Sequence, residues 1–192
     1  MRVIAITSPS LVDEDVYLIR TLLAYGVDVV HLRKPDAGID GCRKLLGELT
    51  KEERARIVVH DFPELYDEFS LKGIHVNRHV ARLPSGYTGC KTRSCHSFEE
   101  ILRYKDEYDY LFLSPIFDSI SKVGYRSKFT EEELLKASAD GVIDEKVIAL
   151  GGVTWEKIPY LEKLHFGGVA MVGGVYHVEA LNGLKKYIEY GK

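Results

Sequence analysis

Two glycine pairs late in the chain carry the first chemical signal. Ala149-Leu150-Gly151-Gly152-Val153 and Gly167-Gly168-Val169-Ala170-Met171-Val172-Gly173-Gly174 are each an apolar run that closes on paired glycines. Buried parallel strands read as unbroken apolar runs, and glycine lets a ligand come close to backbone amides. Two neighbouring strand ends with bare amides form an anion cradle, so Gly151, Gly152, Gly173 and Gly174 are expected to hold a phosphate. The G-x-G-x-x-G spacing of a dinucleotide loop is absent from both segments, which points to a small phosphorylated molecule rather than a dinucleotide.

Other side chains could work beside that cradle. His96, in Ser94-Cys95-His96-Ser97, is the leading candidate for proton transfer, since an imidazole titrates near neutral pH. Its bland alternative is a half-buried histidine bonded to backbone. Adjacent strand residues face opposite ways, so Cys95 and His96 do not read as a thiolate pair. Lys122 follows Ser119 and Ser121 in a loop and offers a point cation and hydroxyls to an anion; the alternative is an ordinary surface loop. Arg33 closes a run that should be buried, where a lone guanidinium calls for an anionic ligand or an internal partner such as Asp61. His31, His60, His75 and His96 gather at strand ends and invite a zinc reading. No His-x-His or His-Glu-x-x-His spacing supports it, and carboxylates there are few. His75 reads as packed inside the fold, and His79, His165 and His177 as loop or surface residues.

These positions need elements to hold them. Strand-like runs stand at Val3–Thr7, Val27–Arg33, Arg56–His60, Gly73–Val76, Cys90–Ser94, Tyr108–Ser114, Lys146–Leu150 and Gly168–Val172. Helical spacing marks Asp13–Tyr25, Cys42–Leu49, Pro63–Phe69, Ser97–Tyr104, Thr130–Ala139, Thr154–Lys163 and Val178–Tyr190. Ser97-Phe98-Glu99-Glu100 and Thr130-Glu131-Glu132-Glu133 fit the capping box, and Pro63 suits a first helical turn. Between Val76 and Cys90 no helix is signalled. Eight strands alternating with helices predict an α/β fold, a single-domain (β/α)8 TIM barrel over residues 1–192 with lean loops; an open doubly wound sheet is the runner-up. In such a barrel the phosphate site commonly lies after strands seven and eight, where both glycine pairs fall.

Composition narrows the classes further. The chain has 192 residues, a formal net charge of −3 and interspersed charges without long blocks. Nucleic acid and membrane surfaces are therefore not expected partners. No apolar run reaches a transmembrane length and no signal-peptide pattern opens the chain, so the expected location is cytoplasmic. Cys42, Cys90 and Cys95 lack metal spacing and read as reduced thiols.

Along nearly its whole length the sequence resembles the thiamine phosphate synthase and TenI thiazole tautomerase superfamily. The family's Gln-Leu-Arg-Glu-Lys stands here as His31-Leu32-Arg33-Lys34-Pro35, and its Asn-Asp-Arg as His60-Asp61-Phe62. Gly-Val-His-Leu-Gly-Gln-Glu-Asp becomes Gly73-Ile74-His75-Val76-Asn77-Arg78-His79-Val80. Ser-x-His is matched by Ser94-Cys95-His96, and Gly-Pro-Ile-Phe-x-Thr-x-Thr-Lys by Ser114-Pro115-Ile116-Phe117-Asp118-Ser119-Ile120-Ser121-Lys122. Ala-Ile-Gly-Gly-Ile is matched by Ala149-Leu150-Gly151-Gly152-Val153. The resemblance implies a thiamine biosynthesis enzyme that binds a thiazole phosphate.

The departures choose within the superfamily. In the synthase two aspartates hold Mg²⁺ against a pyrimidine diphosphate; here Asp61 remains and the second position is Val80. The strand-two lysine is Pro35 with Lys34 beside it, the glutamine after strand four is Arg78, and the serine of the strand-eight loop is Gly173. The thiazole-phosphate half looks kept and the diphosphate half eroded. That favours a tautomerase with His96 as general acid and base and no cofactor. The alternatives are the synthase, with Mg²⁺ on Asp61, and a non-catalytic phosphate-ligand binding or regulatory protein. A homo-oligomer is left open.

Overall fold

Short buried strands dictate the architecture. In the computed structural model, described over residues 1–77, 80, 82–118, 127–172, 183 and 186, eight parallel strands close into one barrel. They are β1 (Arg2–Ile6), β2 (Val29–Leu32), β3 (Ile57–Val59), β4 (Gly73–Val76), β5 (Cys90–Cys95), β6 (Tyr110–Leu113), β7 (Val147–Leu150) and β8 (Gly168–Met171). Each pairs with its successor, and β8 returns to β1 with Ile4 beside Ala170. The predicted barrel and all eight strand positions hold, and the open-sheet alternative falls away.

Strand residues alternate between two cores. Ile4, Ile6, Val29, Val58, Tyr110, Phe112, Ile148 and Ala170 pack inside the barrel. Their neighbours Val3, Ala5, Val30, Ile57, Leu111 and Val169 pack outward under the helices. Both faces are buried, which is why the strands read as continuous apolar runs.

The helices are α1 (Asp15–Ala24), α2 (Gly38–Glu48), α3 (Lys51–Arg54), α4 (Leu65–Phe69), α5 (Phe98–Tyr104), α6 (Glu131–Ala139) and α7 (Ile158–Lys163), the last led in by a 3₁₀ turn at Trp155–Lys157. Thr130 and Glu133 form the expected capping box. Thr50 and Glu53 form another that starts α3, a short helix absent from the sequence reading. Ser97 caps α5, but the Glu100 carboxylate reaches past it to the His96 N–H, 2.6 Å away, so that box is only half made. Pro63 lies in the turn before α4 rather than in its first turn. The helix expected at Val178–Tyr190 lies outside the described residues except Gly183 and Lys186, both helical.

Between β4 and β5 the described residues hold no helix, as expected. Tyr87 anchors this crossover instead: its hydroxyl accepts from the Ile74 N–H at 2.8 Å and donates to the Cys90 carbonyl. Its ring packs on Tyr66 with centroids 4.7 Å apart.

Candidate active site at the barrel mouth

Parallel strands send all eight C-terminal ends to one mouth, where polar residues replace the apolar pattern. Arg33 follows β2 and is half-buried. Its backbone is pinned by Thr7, whose hydroxyl accepts from the Arg33 N–H at 2.8 Å and donates to its carbonyl at 3.1 Å. The guanidinium forms no salt bridge with any described carboxylate, so the internal partner considered from sequence, Asp61, is not one. Its charge is felt nearby, where it helps hold the His60 and His75 imidazoles neutral.

Lys34 is not a stand-in for the missing family lysine. It is buried and turned outward under the β1–α1 loop, with Nζ 2.7 Å from both carboxylate oxygens of buried Asp15. Further bonds run to Ser8 Oγ and the Ser10 carbonyl. The sequence reading missed this ion pair; an acid at the start of a helix facing a lysine after β2 was its only trace.

His96, just past β5, is exposed. Its Nδ1 lies 2.9 Å from the Ser114 carbonyl and 3.3 Å from the Ser114 hydroxyl. A carbonyl only accepts, so Nδ1 carries the proton and Nε2 keeps its lone pair. Nε2 makes no hydrogen bond to a described residue. The ring is thus bonded to backbone, as the bland alternative held, and still presents a basic nitrogen to solvent.

Gly151 and Gly152 follow β7 at φ +95° and +62°. A Cβ on Gly151 would meet Pro115 Cα at 2.8 Å, and one on Gly152 would meet the Asp118 carbonyl at 2.2 Å. Glycine is required here first by the loop after β6. Neither amide donates to a described backbone carbonyl, so both N–H groups are available to an anion. Lys157 steadies the turn through the Gly152 carbonyl at 2.7 Å. Ser119, Ser121, Lys122, Gly173 and Gly174 lie outside the described residues, as do Arg78 and His79.

Three of the four strand-end histidines do meet. His31, His60 and His75 are buried in the barrel throat, with one potential ligand atom of each within 4.8 Å of the others. Their rings are not posed for a metal. His60 and His75 lie face to face, centroids 4.0 Å apart and planes 14° apart. A metal ion sits in the plane of each imidazole that binds it, and two stacked planes share no such point. Hydrogen bonds hold the set instead. His31 Nδ1 is 2.7 Å from His60 Nε2, and His31 Nε2 is 2.6 Å from the Tyr110 hydroxyl. His75 bonds Thr92 and Ser94 at 2.7 and 3.1 Å. Burial, then the neighbouring His75, pushes the His31 pKa well down, with the same leading causes at His60; His75 falls to about 3 through burial and the Arg93 and Arg33 charges. Tyr110 was not foreseen as a partner, although its inward register on β6 with Phe112 marks it.

Beside this throat Asp61 lines a cavity of about 370 Å³ with Pro35, Phe62, Pro63, Glu64 and Val80. Val80, in the family's second aspartate position, is buried and apolar. The donor chemistry is that of one carboxylate, with Glu64 on the same rim. It fits a Mg²⁺ ion that takes most of its oxygens from waters and a diphosphate, and not a self-sufficient cation cage.

A sequence model of the thiamine monophosphate synthase family matches residues 3–175. A thiamine-phosphate synthase of Helicobacter pylori (strain ATCC 700392 / 26695) is 30% identical over 135 residues, 67% of this chain and 60% of that protein. The match thus spans under two thirds of the length of that relative. One from Photorhabdus laumondii subsp. laumondii is 26% identical, covering 82% of this chain and 76% of its own. Among solved structures, thiamine phosphate pyrophosphorylase from Bacteroides thetaiotaomicron is 33% identical with a TM-score of 0.88, each chain covered completely. The Pyrococcus furiosus thiamine phosphate pyrophosphorylase, 22% identical with a TM-score of 0.75 over 98% of this chain and 95% of that one, shares the fold. On the extent of these matches, the chain belongs to the thiamine monophosphate synthase family.

Proposed function

We propose that the protein is a thiamine-phosphate synthase, which joins hydroxymethylpyrimidine diphosphate to a thiazole phosphate and releases diphosphate. The observation that carries this reading is the end-to-end likeness to a thiamine phosphate pyrophosphorylase, 33% identical without gaps in coverage. It moves the balance from the tautomerase, which the sequence alone favours, to the synthase. The thiazole nitrogen attacks the pyrimidine methylene carbon as the bond from that carbon to the diphosphate oxygen breaks, the electron pair leaving with diphosphate. Arg33, without a carboxylate partner among the described residues, is a cation ready for that leaving charge. The Gly151 and Gly152 amides, with Gly173 and Gly174, would bind the thiazole phosphate. Lys122, Ser119 and Ser121 would meet the departing anion. Mg²⁺, when bound, neutralises diphosphate charge, and Asp61 with Glu64 would hold it. The substrates are small and phosphorylated, and the described residues include no helix long and apolar enough to cross a membrane.

Thiamine phosphate formation by the pure protein with both substrates and Mg²⁺ tests the proposal. Turnover is expected; its absence, alongside metal-free thiazole tautomer conversion, would move the protein to the second reading. One observation favours that reading, the exposed His96 with Nδ1 anchored on Ser114 and Nε2 without a hydrogen bond to any described residue.

A further inference from the structure

We propose that Tyr110, His31 and His60 form a one-way hydrogen-bond relay that presents the His60 Nδ1–H as a fixed donor to a phosphate oxygen of the ligand at the barrel mouth. Tyr110 and His31 are then positioning residues for that contact.

The direction follows from counting protons. The Tyr110 hydroxyl is buried and His31 Nε2, at 2.6 Å, is its partner among the described residues. A phenol that gave its proton to nothing would leave a buried donor unsatisfied, at a cost of about 1–3 kcal/mol. Burial also keeps this phenol protonated, by raising its pKa well above the usual tyrosine range. Tyr110 therefore donates to His31 Nε2. A neutral imidazole carries one N–H, so the His31 proton is on Nδ1. That atom lies 2.7 Å from His60 Nε2, which must accept. The His60 proton is then on Nδ1.

This last nitrogen is the open end of the chain. It makes no hydrogen bond to a described residue. His60 is 6% exposed against 0% for His31, so the relay runs from the closed throat to the mouth. Stacking on His75, itself held by Thr92 and Ser94, fixes the ring plane. Asp61 follows directly and lines the cavity beside it. An acceptor is the complement of such a donor. The nearby Arg33 charge, which acts on both His60 and His75, makes an anionic phosphate oxygen the acceptor of choice. That ligand class rests on the proposed function.

Nitrogen NMR on the ligand-free protein reads the tautomer without any assay. His60 should appear as the Nδ1–H form; a dominant Nε2–H form overturns the relay. Tyr110→Phe removes the first proton and should let His60 populate both forms, with inorganic diphosphate binding about two- to tenfold weaker. His31→Leu should weaken it at least as much. His31→Gln keeps an oxygen to accept from Tyr110 and an N–H to give to His60, so tautomer and affinity should return to within about twofold. Unchanged diphosphate affinity in Tyr110→Phe and His31→Leu, with folding verified by melting, overturns the positioning role. If the parent protein binds no diphosphate while the tautomer shifts as described, the ligand assignment fails along with the proposed function and the relay stands.

Discussion

His31 and Tyr110, 79 residues apart in sequence, meet inside the barrel with Nε2 and the phenolic oxygen 2.6 Å apart. Both are inward residues, on β2 and β6, and neither touches water appreciably. Polar groups this deep are held by one another, and that has consequences for stability and for ligand binding.

Acid should destabilise the fold through these histidines. Unfolded histidine takes up a proton near pH 6.5, whereas buried His31, His60 and His75 resist doing so. Below that pH the unfolded chain binds more protons, so stability is complete above pH 6.5 and falls on acidification. Each such group contributes about 1.4 kcal/mol per pH unit between its unfolded and folded pKa. Melting curves from pH 7.5 to 5 should therefore fall steeply, and His31→Gln should flatten the slope by about one third. An unchanged slope in that variant would assign the acid sensitivity elsewhere.

The sequence made the scaffold legible and the throat only partly so. Strand positions are visible because both barrel faces are apolar, from Val3–Ile6 to Val169–Met171, and strand order then fixes which ends are neighbours. The histidines were visible as a group at strand ends. Whether they bind a metal depended on ring planes, and the face-to-face packing of His60 on His75 is a rotamer fact that spacing does not encode. Lys34 shows the same limit. Its place after β2 suggested the mouth, but one residue of register turns it to the outer face and onto Asp15. The proposal of synthase over tautomerase rests on the relatives, since Val80, Pro35, Arg78 and Gly173 together point the other way.

Lys34 should prove structural. Removing one member of a buried ion pair costs about 3–5 kcal/mol, while replacing both by apolar residues costs far less. Lys34→Met and Asp15→Ala should each lower the urea midpoint sharply, and Lys34→Met with Asp15→Leu should recover much of it. Folded Lys34→Met should bind diphosphate as the parent does; a large loss of affinity would place Lys34 in the ligand site.

Gly152→Ala should damage both the fold and the phosphate site. The residue sits at φ +62° with the Asp118 carbonyl 2.2 Å from any Cβ, so the loop after β6 must shift. The left-handed backbone adds about 1–2 kcal/mol of strain. Thermal melting should fall, and a thiazole phosphate should bind more weakly as the turn is displaced. Parent-like melting and affinity would show that the loop yields freely and does not shape the cradle.

Mg²⁺ should bind the ligand-free protein weakly and tightly only with diphosphate present. Asp61 supplies the carboxylate at the family position, Glu64 shares the rim, and the Val80 side chain offers no oxygen ligand. A small hard cation keeps its waters unless substrate oxygens replace them. Calorimetry should show little heat with Mg²⁺ alone and clear binding once inorganic diphosphate is added. Tight binding of Mg²⁺ alone would mean that Asp61 and Glu64 already make a closed site.

His96 decides between the two reactions. Its Nδ1 is committed to the Ser114 carbonyl, which leaves Nε2 as the one nitrogen able to move a proton. In a synthase no proton transfer by this group is needed for carbon–nitrogen bond formation, and His96→Gln should retain thiamine phosphate formation within a few-fold. Glutamine keeps similar bulk and a polar contact to the Ser114 carbonyl, so the mouth should keep its shape. In a tautomerase the same change should cost about 10²–10⁴-fold, the usual worth of general acid–base catalysis. The two assays on one variant thus separate the readings. Loss of synthase turnover by more than about 10²-fold, with diphosphate affinity intact, would require His96 to act in the transfer itself.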